Sequence, residues 1–230
     1  EHFKTEITGM LKEISHNILH HNWLLLWMFG LIITYLIIRS FHRRYWKRYR
    51  MALILPLESS KLLKEKNIDF VRLAVILNFV SGLSIACFFF LSIQHFTDWA
   101  WPEMEFGDLI LFSLLTVGVI LFRYVSVEIL GQFFKRKDVS LQINHVWLLH
   151  IKAAGFLLLL CSFMIEYSPN ELNTIATIGG LVVIFILIII SVLRSIQILR
   201  QNRVSLYYGI LYLCTLEILP VVVIVSLLLF

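Results

Sequence analysis

The stretch IATIGGLVVIFILIIISVL, residues 175–193, contains no charged side chain and is followed immediately by Arg194. A helix needs about 20 apolar residues to cross the roughly 30 Å hydrocarbon core of a bilayer. A helix also satisfies its own backbone hydrogen bonds in lipid, so this run predicts a transmembrane helix. The whole chain agrees, because 59% of its 230 residues are hydrophobic and only 15% are charged. Ordinary soluble domains have about 45–50% apolar residues, so the sequence predicts a multi-pass membrane protein.

Six runs of this kind occur, which predicts an all-α bundle of six transmembrane helices. They cover residues 22–40, 70–93, 108–133, 144–166, 175–198 and 206–230. The connections after the first, third and fifth spans are rich in Lys and Arg, whereas the other two contain neither. Basic connections stay in the cytoplasm, so both chain termini are predicted to lie outside. The net charge of +5 collects at the ends of the spans, and nucleic acid is not expected as a partner.

Residues 1–21 form a separate segment before the first span. Its apolar residues recur at helical spacing: Phe3, Ile7, Met10, Ile14 and Ile18. This pattern predicts a short amphipathic helix on the outer membrane surface. His16 and His20 have the spacing of two metal ligands on a helix, but no cysteine or carboxylate completes a set, so no metal site is predicted.

The first connection begins with RSFHRRYWKRYR, residues 39–50. We predict that the helix of the first span continues into it. Long basic side chains mixed with aromatic rings are typical of a collar that binds lipid phosphates at the membrane border. A docking site for a protein partner is the alternative. The residues proposed for either kind of binding are Arg43, Arg44, Trp46, Lys47, Arg48 and Arg50.

Ionisable residues also occur inside the spans, and all are predicted to lie in the cytoplasmic half of the membrane. The proposed cluster consists of Arg123, Glu128, His150, Lys152, Arg194 and Glu217. A charge at the centre of a membrane helix costs about 2.5–3.5 kcal/mol on insertion scales, so such residues face the bundle and pair.

Glu217 lies within YLCTLEILPVVVIVSLLLF, residues 212–230, three residues before Pro220. Its expected partner is Lys152 or Arg123. Pro220 removes a backbone donor, which predicts a kink in the last span. Two interpretations remain open. The cluster either holds the helices together as ion pairs, or it forms a proton or ion pathway, or an anionic headgroup pocket, that uses Arg123, Lys152 and Arg194.

No catalytic motif is present: the chain lacks a nucleophile elbow, an HExxH sequence and a P-loop, so an enzyme is not expected. No cofactor is expected either. Haem b needs facing histidines from two spans, whereas His145 and His150 share one span. The three cysteines lie inside apolar runs without CxxC spacing and are interpreted as packing residues.

The segment YYGILYLCTLEILPVVVI, residues 207–224, resembles the closing part of an uncharacterised family of multi-pass inner-membrane proteins of Bacteroidota, known only as a domain of unknown function. The similarity extends over the six spans and is most specific at LYLCTLEILP. It implies a Glu and a Pro in the last span, as Glu217 and Pro220 provide, and a basic-aromatic stretch after the first. It implies location in the bacterial inner membrane but no activity.

These observations lead to two functional hypotheses. The first is a non-catalytic integral subunit or assembly factor of a cell-envelope complex, such as the protein-secretion machines of that lineage. Its partners would be membrane lipids and other membrane or envelope proteins. The alternative is a small transporter or lipid-handling protein that uses the buried charge cluster.

Overall fold

The computed structural model describes residues 23–54, 68–96, 106–133, 135–168 and 170–202. These residues form helices and connections, with no strand among them. The helices are α1 (Trp23–Phe41), α2 (Arg43–Ile54), α3 (Ile68–Phe96), α4 (Phe106–Phe133), α5 (Lys137–Tyr167) and α6 (Asn170–Gln201). The amphipathic segment predicted for residues 1–21 and the span predicted for 206–230, with Glu217, lie outside the described residues.

Within the described ranges, five helices are long and apolar enough to cross a membrane: Trp23–Phe41, Val71–Gln94, Phe106–Phe133, Lys137–Tyr167 and Leu172–Gln201. The predicted helical membrane bundle is therefore confirmed, although the number of six spans is not. The largest shift in a boundary is at the start of α5, which begins at Lys137, where the apolar run predicted residue 144. The polar first turns of α5 are helical because they pack on α4, where Ser140 Oγ donates a hydrogen bond to the Val127 carbonyl (2.8 Å).

The helices α3 and α5 form the centre of the described bundle. In the most apolar 18 residues of each span, the buried share is 56% in α3 and 50% in α5, against 28% or less in the other three spans. The two helices approach closely where Gly155 of α5 faces Ser81 of α3. A Cβ on Gly155 would lie 2.6 Å from the Ser81 Cα, so only glycine permits this spacing, as is typical of membrane helix pairs.

The first two helices are nearly continuous. His42, between them, donates its backbone N–H to the Ile38 carbonyl (3.0 Å), and Trp46 donates to the His42 carbonyl (3.1 Å). Both bonds span four residues, as in an α-helix. The prediction that the first span continues as a helix into the basic-aromatic stretch is thus confirmed. The continuation keeps the helical register, and this decides which side chains of α2 face the bundle.

Candidate functional site

Helix α2 packs against the bundle through one face. Its buried side chains are Tyr45, Tyr49 and Ala52, with 2%, 5% and 0% of their surface exposed. They are four and three residues apart, which places them on one side of a helix. They pack with apolar residues of α1, α3 and α5, among them Leu77 and Leu149. The basic-aromatic stretch is therefore a docked helix and part of the core.

Two tyrosine hydroxyls of α2 connect this helix to α5. Tyr49 donates its hydroxyl proton to the Leu149 carbonyl at 3.0 Å. The Lys152 ammonium donates to the Tyr45 hydroxyl at 3.4 Å, near the upper limit for a hydrogen bond. Lys152 is only 5% exposed. Among the described residues no carboxylate contacts its ammonium group, and its hydrogen-bond partner there is a neutral phenol.

Trp46 adds aromatic packing at the same place. Its ring stacks on Tyr49, with ring centroids 5.3 Å apart, and meets Phe156 of α5 edge-on at 6.5 Å. Such aromatic pairs contribute about 0.5–1.5 kcal/mol beyond the area that they bury. The sequence placed Trp46 among the residues that bind a partner or a headgroup. In the structure Trp46 is half-buried and packs inward on the bundle.

Arg194 of α6 holds the other end of α2. Its guanidinium donates from Nη1 to the Ala52 carbonyl at 3.3 Å and from Nη2 to the Leu53 carbonyl. The last four carbonyls of a helix have no partner within the helix, and a cation there also interacts favourably with the helix dipole. The guanidinium fork can serve two adjacent carbonyls at once. Arg194 therefore acts as a C-terminal cap supplied by another helix.

Two histidines, His145 and His150, also lie in the first half of α5. His150 is 4% exposed, and its Nδ1 lies 2.7 Å from the Val146 carbonyl. Since a carbonyl only accepts, Nδ1 carries the proton. The Nε2 atoms of His145 and His150 are buried without a hydrogen-bond partner in the described part of the chain. His145 lies within electrostatic range of Lys152, and His150 within range of Arg194.

Arg123 and Glu128 of α4 are on a different side of α5. The Arg123 guanidinium lies over the Trp147 ring, 3.9 Å from its centroid, and Arg123 is 5% exposed. A desolvated cation–π contact of this kind contributes about 2 kcal/mol. Glu128 is half-buried and interacts electrostatically with Tyr124, one helical turn away. Of the six residues in the proposed cluster, Lys152 and Arg194 contact α2, and His150 lies within electrostatic range of Arg194.

The charged residues of α2 face away from the bundle. Arg43, Lys47, Arg48 and Arg50 are exposed, while the side chain of Arg44 lies outside the described set. With Arg39, the exposed cations Arg43, Lys47 and Arg50 follow one another at intervals of three and four residues along one helix face. We call these four residues the basic stripe. The basic stripe lies on the side of the helix opposite Tyr45 and Tyr49.

The buried tyrosines of α2 are the part of this site that sequence reasoning missed. It treated their rings as members of a membrane-border collar, because aromatic residues next to Arg and Lys are typical of that border. The available signal was the spacing of Tyr45, Tyr49 and Ala52, which marks one helix face. Burial disfavours the phenolate and raises the pKa of Tyr45 to about 12. Burial, and the nearby Tyr45, also raise the pKa of Tyr49.

No group of three or more His, Cys, Asp or Glu side chains in the described ranges is arranged to hold a metal ion. Several polar side chains in these ranges instead connect one helix to another. Asn144 Nδ2 donates to the Tyr124 carbonyl at 3.1 Å, and Tyr35 and Ser81 hydroxyls are 3.0 Å apart. Each of these bonds connects two helices at a fixed register.

Comparison with known proteins identifies a family. The model of the family described as a domain of unknown function, DUF4271, matches residues 22–228, so the chain belongs to this family. No curated protein and no solved structure matches the chain. The match begins at the first span and includes the region of Glu217.

Proposed function

We propose that this member of the DUF4271 family is a non-catalytic integral subunit or assembly factor of a complex in a bacterial inner membrane. Helix α2 is its platform for assembly: a short helix at the membrane border, fixed in position by the bundle. The observation that carries the proposal is the bracing of α2 by Lys152 and Arg194, which contact the Tyr45 hydroxyl and the carbonyls of Ala52 and Leu53.

This bracing supports an assembly role. Lys152 and Arg194 are engaged in holding α2, whereas a transport pathway needs cations that can change partners. Arg194 donates to two backbone carbonyls, which have no proton to exchange. Arg123 lies over an indole ring. Helices that are fixed in this way present a rigid surface to another macromolecule, and a preorganised surface loses little entropy on binding. We include a place in a protein-secretion complex of the cell envelope in this proposal on the basis of the lineage of the resembling family alone.

The test is purification of the natively expressed protein in mild detergent, followed by mass spectrometry of the proteins that accompany it. We expect stoichiometric membrane or envelope partners. A variant with the substitution Arg194→Met should lose part of these partners because α2 is no longer braced. Arg200→Met is the matched control, since Arg200 lies exposed on the same helix. A lone protein that carries bound lipid or solute would contradict the proposal.

One observation favours the second candidate, a small transporter or lipid-handling protein. Lys152 is buried, and its hydrogen-bond partner among the described residues is a neutral hydroxyl. A buried ammonium without a carboxylate is expensive unless a further negative group comes close. Glu217 is the expected group of this chain, and an anionic substrate would be the other. Density for a lipid or solute at Lys152 in the purified protein would support this candidate.

A further inference from the structure

The basic stripe continues a line of lipid-exposed apolar residues on the same helix face. In α1 this line consists of Leu26, Phe29, Ile33 and Leu36, with exposed fractions of 45–74%. Their intervals are three, four and three residues, the spacing of a single face. The helical hydrogen bonds of His42 and Trp46 carry the register into α2. The same face therefore changes from apolar to cationic where α1 passes into α2.

This change places the stripe at the level of the headgroups. Large apolar side chains exposed on a membrane helix face lipid tails, and the cations that follow them directly on the same face lie where the lipid phosphates are. The side of α2 that faces the bundle is filled by Tyr45 and Tyr49. Side chains of the described bundle therefore do not reach across α2 to neutralise the charges of the stripe. The contacts of Arg194 and Tyr49 keep α2 from rotating the stripe into water.

We propose that the basic stripe, Arg39, Arg43, Lys47 and Arg50, is a binding site for the headgroups of anionic phospholipids in the leaflet on its side of the membrane. Continuity with the lipid-exposed face of α1 favours this occupant over an acidic segment of a protein, which would approach from the water. The guanidinium groups bind phosphate oxygens with paired hydrogen bonds. This inference is independent of the proposed function, since lipid binding does not require a protein partner.

The experiment uses the full-length protein reconstituted in vesicles of phosphatidylcholine. Spin-labelled phosphatidylglycerol or spin-labelled phosphatidylcholine is added, and electron paramagnetic resonance measures the fraction of each lipid that is immobilised by the protein. We expect the anionic lipid to be preferred. The triple substitution Arg43→Gln, Lys47→Gln, Arg50→Gln should lower this preference by about fivefold or more, from the contribution of each cation near a lipid surface.

The matched control is Lys135→Gln, Arg136→Gln, Lys137→Gln. It removes the same charge from exposed residues at the connection between α4 and α5. Helix α2 contacts α5 at Lys152 and at Leu149, and Lys137 lies about 18 Å along α5 from Leu149, the nearer of the two, at a rise of about 1.5 Å per residue. This separation exceeds the Debye length of about 8–10 Å in physiological salt, so the control should keep the preference for anionic lipid.

Three results would overturn the proposal: no preference for phosphatidylglycerol, an equal loss in both triple variants, or an unchanged preference in the stripe variant. In the last case, loss of a co-purifying protein would instead assign the stripe to an acidic protein segment. If the stripe variant does not fold, two measurements still decide. Exchanging Arg for Lys and Lys for Arg at these positions should keep the preference, and raising the salt should weaken it in the unmodified protein.

Discussion

The contact between Arg194 and the end of α2 makes a quantitative prediction. The substitution Arg194→Met keeps an unbranched side chain of similar reach but removes the donors to the Ala52 and Leu53 carbonyls. Hydrogen bonds from charged donors contribute about 1.5–3 kcal/mol in soluble proteins. Hydrogen bonds between membrane helices average only about 0.6 kcal/mol, with a maximum near 1.7 kcal/mol. Arg194 is half-buried, so we use the lower scale for both bonds.

On that scale Arg194→Met weakens the docking of α2 by about 1–2 kcal/mol, which is a factor of about 5–30 in the ratio of docked to undocked helix. The substitution leaves the other contacts of α2 in place, through Tyr45, Tyr49 and Ala52, which are buried. The rest of the bundle should therefore be unaffected. Local opening of this kind is measured by amide hydrogen exchange. Exchange of a peptide that covers residues 43–54, followed by mass spectrometry, should therefore become faster by this factor, with no change in α5.

Two companion variants make the test specific. Arg194→Lys keeps the charge but lacks the guanidinium fork, so exchange in α2 should lie between that of the unmodified protein and that of Arg194→Met. Arg200→Met removes a cation from the same helix at an exposed position and should leave α2 unchanged. Equal exchange of α2 in the Arg194→Met and Arg200→Met proteins would refute the claim that Arg194 caps α2.

Three further predictions test packing, burial and the last span. Gly155→Ala should lower the free energy of unfolding in detergent by about 1–3 kcal/mol, because its Cβ would meet the Ser81 backbone. Gly118→Ala should be neutral, because its Cβ would meet no atom within 4 Å beyond its chain neighbours and its own helix backbone. Equal effects of the two substitutions would contradict the close helix contact. The pKa of Tyr45 is raised from 10.0 to about 12, so its contribution to the docking of α2 is fully present below pH 10 and is lost as the pH rises through about 12. Absorbance of tyrosinate should show this late titration, and Tyr45→Phe should reduce its amplitude without abolishing it, because Tyr49 also has a raised pKa. An unchanged late amplitude in Tyr45→Phe would exclude the burial of Tyr45. Glu217→Ala should lower stability by leaving a buried cation unpaired, and Glu217→Gln should keep both assembly and activity in cells under the proposed function; intact assembly with lost activity would favour proton chemistry instead.

The sequence alone was sufficient for the membrane class and for most of the fold. An apolar run of about 20 residues has one stable conformation in lipid, the helix, and this holds regardless of its neighbours. Residues 175–193 therefore predicted α6 directly. The continuation of the first span into α2 was also predictable, because nothing in RSFHRRYWKRYR breaks a helix. The start of α5 was not, since its first turns are polar and their packing against α4 is not visible in an apolar run.

The role of the buried cations was decided by tertiary structure. Helical periodicity places Lys152 on one face of its span, but it does not say which helix that face meets. Only packing brings Lys152 to the Tyr45 hydroxyl and Arg194 to the carbonyls of α2. The described hydrogen bonds of Arg194 are to backbone oxygens, which every residue has and no sequence pattern reveals. The sequence by itself determined that these charges are inside a helical membrane bundle, because hydrophobicity is a local property. Their partners depend on how the helices pack, which is not local, and only the three-dimensional structure decided them.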